Sequence, residues 1–185
     1  GKKQVEPIWI EFINNKDELL FESERILAEK EKVSLENKFA ETLNGTEHLT
    51  GEYKLREIKT RVNQNVFRQI VIANYNGKCA ITGINIPDLL VASHIIPWSK
   101  NEDERLNPEN GICLSPLYDR AYDKGYIGVN GKYEIILSNE LKKKSKEEYH
   151  SKYFASISGT KIIMPQKYLP NKSFLEYHLD KIFKR

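Results

Sequence analysis

The sequence predicts an α+β domain, and three observations carry that reading. Two short apolar runs, 89–91 and 112–114, have strand length, and the second leads directly into a helix start at Ser115-Pro116. Asn130-Gly131 sits between two further apolar runs, the pattern of a tight antiparallel hairpin. Helix-forming stretches precede both pairs, and another closes the sequence. The expected core is therefore strand, strand, helix, flanked by helices and short antiparallel hairpins.

Taken in order, residues 8–13 form an apolar patch containing Trp9 and Phe12, fit for an edge strand or a docking segment. From Asp17 to Leu43 helix formers dominate, with Asn15 or Asp17 as cap and Asn44-Gly45 as stop, so one long acidic helix is expected. A polar link over 44–52 separates this arm, residues 1–50, from a domain over 51–185. Thr60 to Tyr75 reads as a helix whose apolar face includes Val66, Phe67, Ile70 and Val71, ended by Asn76-Gly77. Arg61, Gln64 and Arg68 lie away from most of that face and are candidates for phosphate contact. The string Cys79-Ala-Ile-Thr-Gly83 is expected to open a hairpin turning at Gly83. Beyond the central strands and helix come the Asn130-Gly131 hairpin, a strand or hairpin over 157–164 turning at Ser158-Gly159, and a last helix from Ser173 to Phe183 in which His178 packs.

Composition fits a globular protein, with 39% hydrophobic and 30% charged residues in 185. No apolar run approaches the ~20 residues of a membrane helix, and no signal-peptide pattern opens the sequence, so no membrane association and a cytoplasmic location are expected. The net charge of +3 is uneven: residues 1–50 carry −4, residues 51–140 balance, and residues 141–185 carry +7. A basic final segment suits a polyanion, although a solvated lysine surface has the same composition. Cys79 and Cys113 are too few for a four-thiolate site, so no structural zinc is expected; they read as reduced, buried small hydrophobes.

The chemistry concentrates in residues 93–125. His94 ends the first apolar run, Asn110-Gly111 precedes the second, and Asp119 and Asp123 lie four apart on the helix after Ser115-Pro116, on one face and a turn apart. Arg120 and Lys124 are interleaved with the two acids, where they can balance them or contact phosphate. Singly, each feature is ordinary: a histidine after an apolar run is usually structural, and Asn-Gly usually marks a turn. Their joint order and separation are what point to a site.

The strings A-S-H-I-I-P-W, N-P-E-N-G-I-C-L and D-R-A-Y-D-K-G, after C-A-I-T-G, resemble the HNH or His-Me finger endonucleases, in the branch found among restriction endonucleases. The segment R-x-x-Q-x-x-F-R over 61–68 is similar to what precedes the finger in that branch. The resemblance implies a ββα-metal finger at about 79–125, with His94 as general base, Asn110 as the central asparagine of the catalytic set, and Asp119 as helix metal ligand beside Asp123. It implies one divalent cation per site. Oxygen donors favour Mg²⁺ or Mn²⁺. Two departures stand out: Ser93 occupies the place before the base where many relatives carry Asp or His, and the helix offers Asp where other branches offer His.

The activity so implied is hydrolysis of double-stranded DNA in restriction or phage defence. Nucleic-acid contacts would come from Arg61, Gln64, Arg68, Arg120 and Lys124. A homodimer is a further expectation, because one finger cuts one strand and a double-strand break needs two sites or two visits. Two other readings stay open: a finger that binds DNA without turnover, with Ser93 as its symptom, and an RNA-directed nuclease or toxin.

Overall fold

The computed structural model describes residues 15–46 and 48–185; the apolar patch at 8–13 lies outside them. The chain divides into two compact units, one ending at Phe67 and one running Arg68–Arg185.

In the first unit the expected single helix is three: α1 (Lys16–Lys30), α2 (Leu35–Lys38) and α3 (Ala40–Leu43). Asn15 caps α1, its Oδ1 accepting from Glu18 N at 3.1 Å. The break comes at Lys32, whose φ of 57° is left-handed, and Ser34 restarts the chain by capping α2 at Asn37 N. The run of Glu and Lys around it has good helix propensity, so the stop is set by backbone geometry and the serine cap. Helix α4 (Gly51–Asn74) begins earlier than Thr60. Its first part buries Ile58, Val62, Val66 and Phe67, while Asn63 Nδ2 donates to the Asp17 carbonyl at 3.0 Å. Each such fully buried aliphatic side chain contributes about 1.5–3 kcal/mol.

In the second unit α4 closes through left-handed Asn76 and Gly77, with Gly77 N donating to the Ile72 carbonyl at 2.9 Å. The Cys79–Gly83 string makes the expected turn but no strands. The Cys79 sulfur stays inside the turn, accepting from Thr82 N at 3.4 Å and from Ser115 N at 3.2 Å. Strands β1 (Val91–His94) and β2 (Gly111–Leu114) pair antiparallel, Ser93 opposite Ile112 and His94 opposite Gly111. Leu89 falls in a 3₁₀ turn, Pro87–Leu89, ahead of β1. Helix α5 (Pro116–Asp123) follows β2 and completes strand, strand, helix.

A second two-stranded sheet pairs β3 (Ile127–Val129) with β4 (Ile135–Leu137). Its turn is longer than an Asn-Gly pair: the Asn130 side chain accepts from Lys132 N and Glu134 N, and Tyr133 takes the left-handed position at φ 64°. The 157–164 segment is a 3₁₀ turn, Ala155–Ile157, followed by a single bridge of Lys161 to Glu134. Short helices α6 (Asn139–Lys142) and α7 (Glu148–Tyr153) precede the closing helix α8 (Lys172–Lys181). Helix α8 approaches β3 at Gly128, where an added Cβ would lie 2.6 Å from Leu179. The fold is α+β, a ββα core with flanking helices and short antiparallel pairs.

Candidate active site

His94 is the last residue of β1, half-buried under the loop that links the strands. Its Nε2 lies 2.9 Å from the Arg105 carbonyl. A carbonyl only accepts, so Nε2 carries the proton and Nδ1 holds the lone pair of the neutral ring. The Trp98 ring meets the imidazole edge to face at 5.4 Å, and the Arg105 guanidinium lies over Trp98 and donates through Nε to its carbonyl at 2.9 Å. Burial pushes the His94 pKa below its usual value, against the opposing pull of the Arg105 carbonyl.

Asn110 is 1% exposed and its amide is fully used. Oδ1 accepts from Ile96 N at 2.8 Å, and Nδ2 donates to the carbonyls of Ile96 at 3.2 Å and Glu104 at 3.0 Å. Its bonds hold the loop that carries His94's partners.

Ser93 is 2% exposed, and its hydroxyl has no hydrogen-bond partner among the described residues. It nevertheless lies close enough to the Asp119 carboxylate to favour the charged form. Burial raises the Asp119 pKa first, Ser93 opposes that, and the neighbouring Asp123 charge raises it further. Asp123 is also raised by burial, with Arg120 and Lys124 pulling it back. Asp119, Arg120 and Asp123 of α5, with Lys124 just after it, thus form one electrostatic group with Ser93, while His94 has its named contacts in the loop.

The other nucleic-acid candidates have different surroundings. Arg68 donates to the carbonyls of Pro87 at 3.1 Å and Leu90 at 2.9 Å, steadying the entry to β1. Arg61, in the first unit, donates to the Thr42 and Asn44 carbonyls and pairs with Glu57. Both guanidinium groups are therefore spent on the chain itself, whereas Gln64, also in the first unit, is exposed. The loop residues Glu104 and Arg105 escaped the sequence reading as parts of the site. Only their place between His94 and Asn110 could have suggested them.

Residues 79–130 match the family of HNH endonucleases. This segment is an HNH endonuclease domain. The HNH segment holds β1, β2, α5 and every residue of the proposed catalytic and metal set. Enzymes of this family generally work with a divalent metal, and their substrate is DNA. Among solved structures, a modification-dependent restriction endonuclease, TagI, is similar at a TM-score of 0.41 and 13% identity, over 63% of this chain and 37% of that one. The chain spans little more than a third of that enzyme's length. No curated protein matches the sequence at a significant level. No helix among the described residues is long and apolar enough to cross a membrane.

The donor set can be weighed for a metal on its own chemistry. Among the described residues no three His, Cys, Asp or Glu side chains gather as a metal cluster. Present instead are two carboxylates whose charges oppose each other and the buried Ser93 hydroxyl beside one of them. Few oxygen donors suit Mg²⁺ or Mn²⁺, which keep several of their waters, and would suit zinc badly.

Proposed function

We propose that the chain is a metal-dependent endonuclease that hydrolyses double-stranded DNA in restriction or phage defence. The observation that carries the reading is the histidine of the HNH segment set as one tautomer, Nε2 donating to the Arg105 carbonyl so that the lone pair of the neutral ring is on Nδ1. His94 Nδ1 takes a proton from water, the resulting hydroxide attacks phosphorus, and the P–O3′ bond breaks. The departing 3′-oxygen takes a proton from solvent water and ends as a hydroxyl, the phosphate remains on the 5′ side, and the imidazolium of His94 gives its proton back to solvent. Asp119 and Asp123 would hold Mg²⁺ or Mn²⁺, which supplies Lewis-acid stabilisation of the scissile phosphate and the leaving oxygen. Asn110 keeps the loop, and with it the Arg105 carbonyl, in register. Arg120, Lys124 and Gln64 contact phosphates. Cytoplasmic action, where the two thiols stay reduced, and a dimer making double-strand breaks complete the reading.

Plasmid nicking in Mg²⁺ or Mn²⁺ tests it. Wild type converts supercoiled to nicked or linear DNA, and His94→Ala loses that activity while still binding DNA. Equal nicking by both proteins overturns the role of His94, and preferential cleavage of RNA moves the substrate.

A second reading, a finger that binds without turnover, is favoured by Ser93 and by the lack of a three-ligand cluster among the described residues. Calorimetric titration of Mn²⁺ into wild type and Asp119→Asn separates the two, because an inert finger shows no Asp119-dependent heat.

A further inference from the structure

Beside the acids of α5 lies a groove of about 740 Å³ that the catalytic reading does not use. Its volume falls within the range of about 300–1,000 Å³ typical of small-ligand sites. The floor is apolar, built from Leu117 of α5, Leu141 of α6 and Phe154. Tyr149 on α7 stands among the lining residues with 43% of its surface exposed, so its ring is open to a planar group. Around the opening are four exposed cations, Arg120, Lys124, Lys143 and Lys144. The acid among the lining residues, Glu140, is already joined to Lys184 at 3.1 Å. That same lysine covers the Tyr126 ring at 4.0 Å, so Tyr149 is the ring left to receive a planar group.

We propose that this groove takes one unstacked nucleotide of the strand engaged by α5, its base on Tyr149 over the apolar floor and its flanking phosphates on the four cations. The proposal rests on the nuclease reading for the identity of the strand. Charge selects a polyanion, and the exposed ring selects one that carries planar apolar groups. Position adds to this: Arg120 and Lys124 each follow one of the two acids in sequence, so the groove and the acids occupy neighbouring stripes of one helix. An acidic peptide would satisfy the rim but leave the ring without a stacking partner.

The test uses the full chain in EDTA and a fluorescein-labelled single-stranded 12-mer, followed by anisotropy. Tyr149→Ala is expected to weaken binding about tenfold, as loss of one base-stacking contact does, while Tyr149→Phe binds as wild type. Lys143→Ala and Lys144→Ala each lower the slope of log affinity against log salt by about one. Unchanged binding by Tyr149→Ala overturns the proposal, as does displacement of the 12-mer by an oligo-glutamate peptide but not by deoxynucleoside monophosphate. Should Tyr149→Ala fail to fold, photocrosslinking of wild type to an iododeoxyuridine-substituted 12-mer decides: adducts on Tyr149 uphold the groove, and adducts only elsewhere remove it. Plasmid nicking is scored separately. Nicking without Tyr149-dependent binding sinks the groove alone, and Tyr149-dependent binding without nicking sinks the nuclease reading alone.

Discussion

The side-chain amide of Asn110 and the peptide of Ile96 form a closed pair, Oδ1 accepting from Ile96 N at 2.8 Å and Nδ2 donating to the Ile96 carbonyl at 3.2 Å. Ile96 lies two residues after His94, so this pair fixes the chain as it leaves β1. A third bond, to the Glu104 carbonyl, reaches the residue next to the one that receives the His94 proton.

Exchange of Asn110 for aspartate tests that role. The carboxylate can still accept from Ile96 N but faces two carbonyls to which it has nothing to donate. Asn110→Asp is expected to lose about 2–4 kcal/mol at neutral pH, more than the loss of one neutral hydrogen bond. Urea unfolding at pH 7 measures it. A loss under about 1 kcal/mol would mean that the loop is held by something else.

His178 offers a test behind the site helix, against Tyr122 of α5. Its ring lies flat on Tyr122 at 3.8 Å, and Nε2 donates to the Tyr122 carbonyl at 3.0 Å, leaving Nδ1 buried without a partner. Burial pushes its pKa down to about 4. The unfolded chain therefore binds this proton first. The associated stability is complete above about pH 6.5 and is lost as pH falls through about 4, in total about 3 kcal/mol at ~1.4 kcal/mol per pKa unit. Replacement by glutamine, which can keep the bond to Tyr122, should flatten the dependence between pH 6.5 and 4. An unchanged slope would assign the effect to other groups.

Asp119 predicts opposite behaviour with and without metal. In EDTA its charge is disfavoured by burial and by Asp123, so Asp119→Asn should melt at or above the wild-type temperature. In millimolar Mn²⁺ wild type should gain several degrees and the variant none, because binding to the folded state alone raises stability. A variant that gains as much as wild type would remove Asp119 from the ligand set.

Gly125 is a further test, of packing. It has φ +70°, and an added Cβ would sit 2.1 Å from the Ile182 carbonyl oxygen. Gly125→Ala must displace the backbone after α8 and is expected to cost about 2–4 kcal/mol. Gly131→Ala meets nothing within 4 Å and should be near neutral. Denaturant midpoints for the two variants give the comparison.

Much of the finger was legible because its signals are local. An apolar run ended by His94, Asn110-Gly111 before a second run, and Ser115-Pro116 ahead of two acids each report on their own few residues, and each lies in the expected kind of element. The arm was misread for the same reason: the stop at Lys32 is a backbone conformation within a sequence that favours helix. Arg61 and Arg68 looked free because a helical pattern shows which face a side chain leaves, but not the carbonyls waiting 17 to 22 residues away. Ser93 was visible only as a missing ligand, since its meeting with Asp119 joins residues from different elements. The groove draws on α5, α6 and α7 together, and no single stretch announces it.

The sulfur of Cys79 takes the Ser115 N–H at the start of α5, and both thiols are shut off from solvent. A reagent can reach them only when the turn and the helix start come apart. Their alkylation rate under native conditions therefore times the spontaneous opening of this region. Slowing of that clock by Mn²⁺ or by an oligonucleotide would show which of them braces the helix, without any need to follow cleavage.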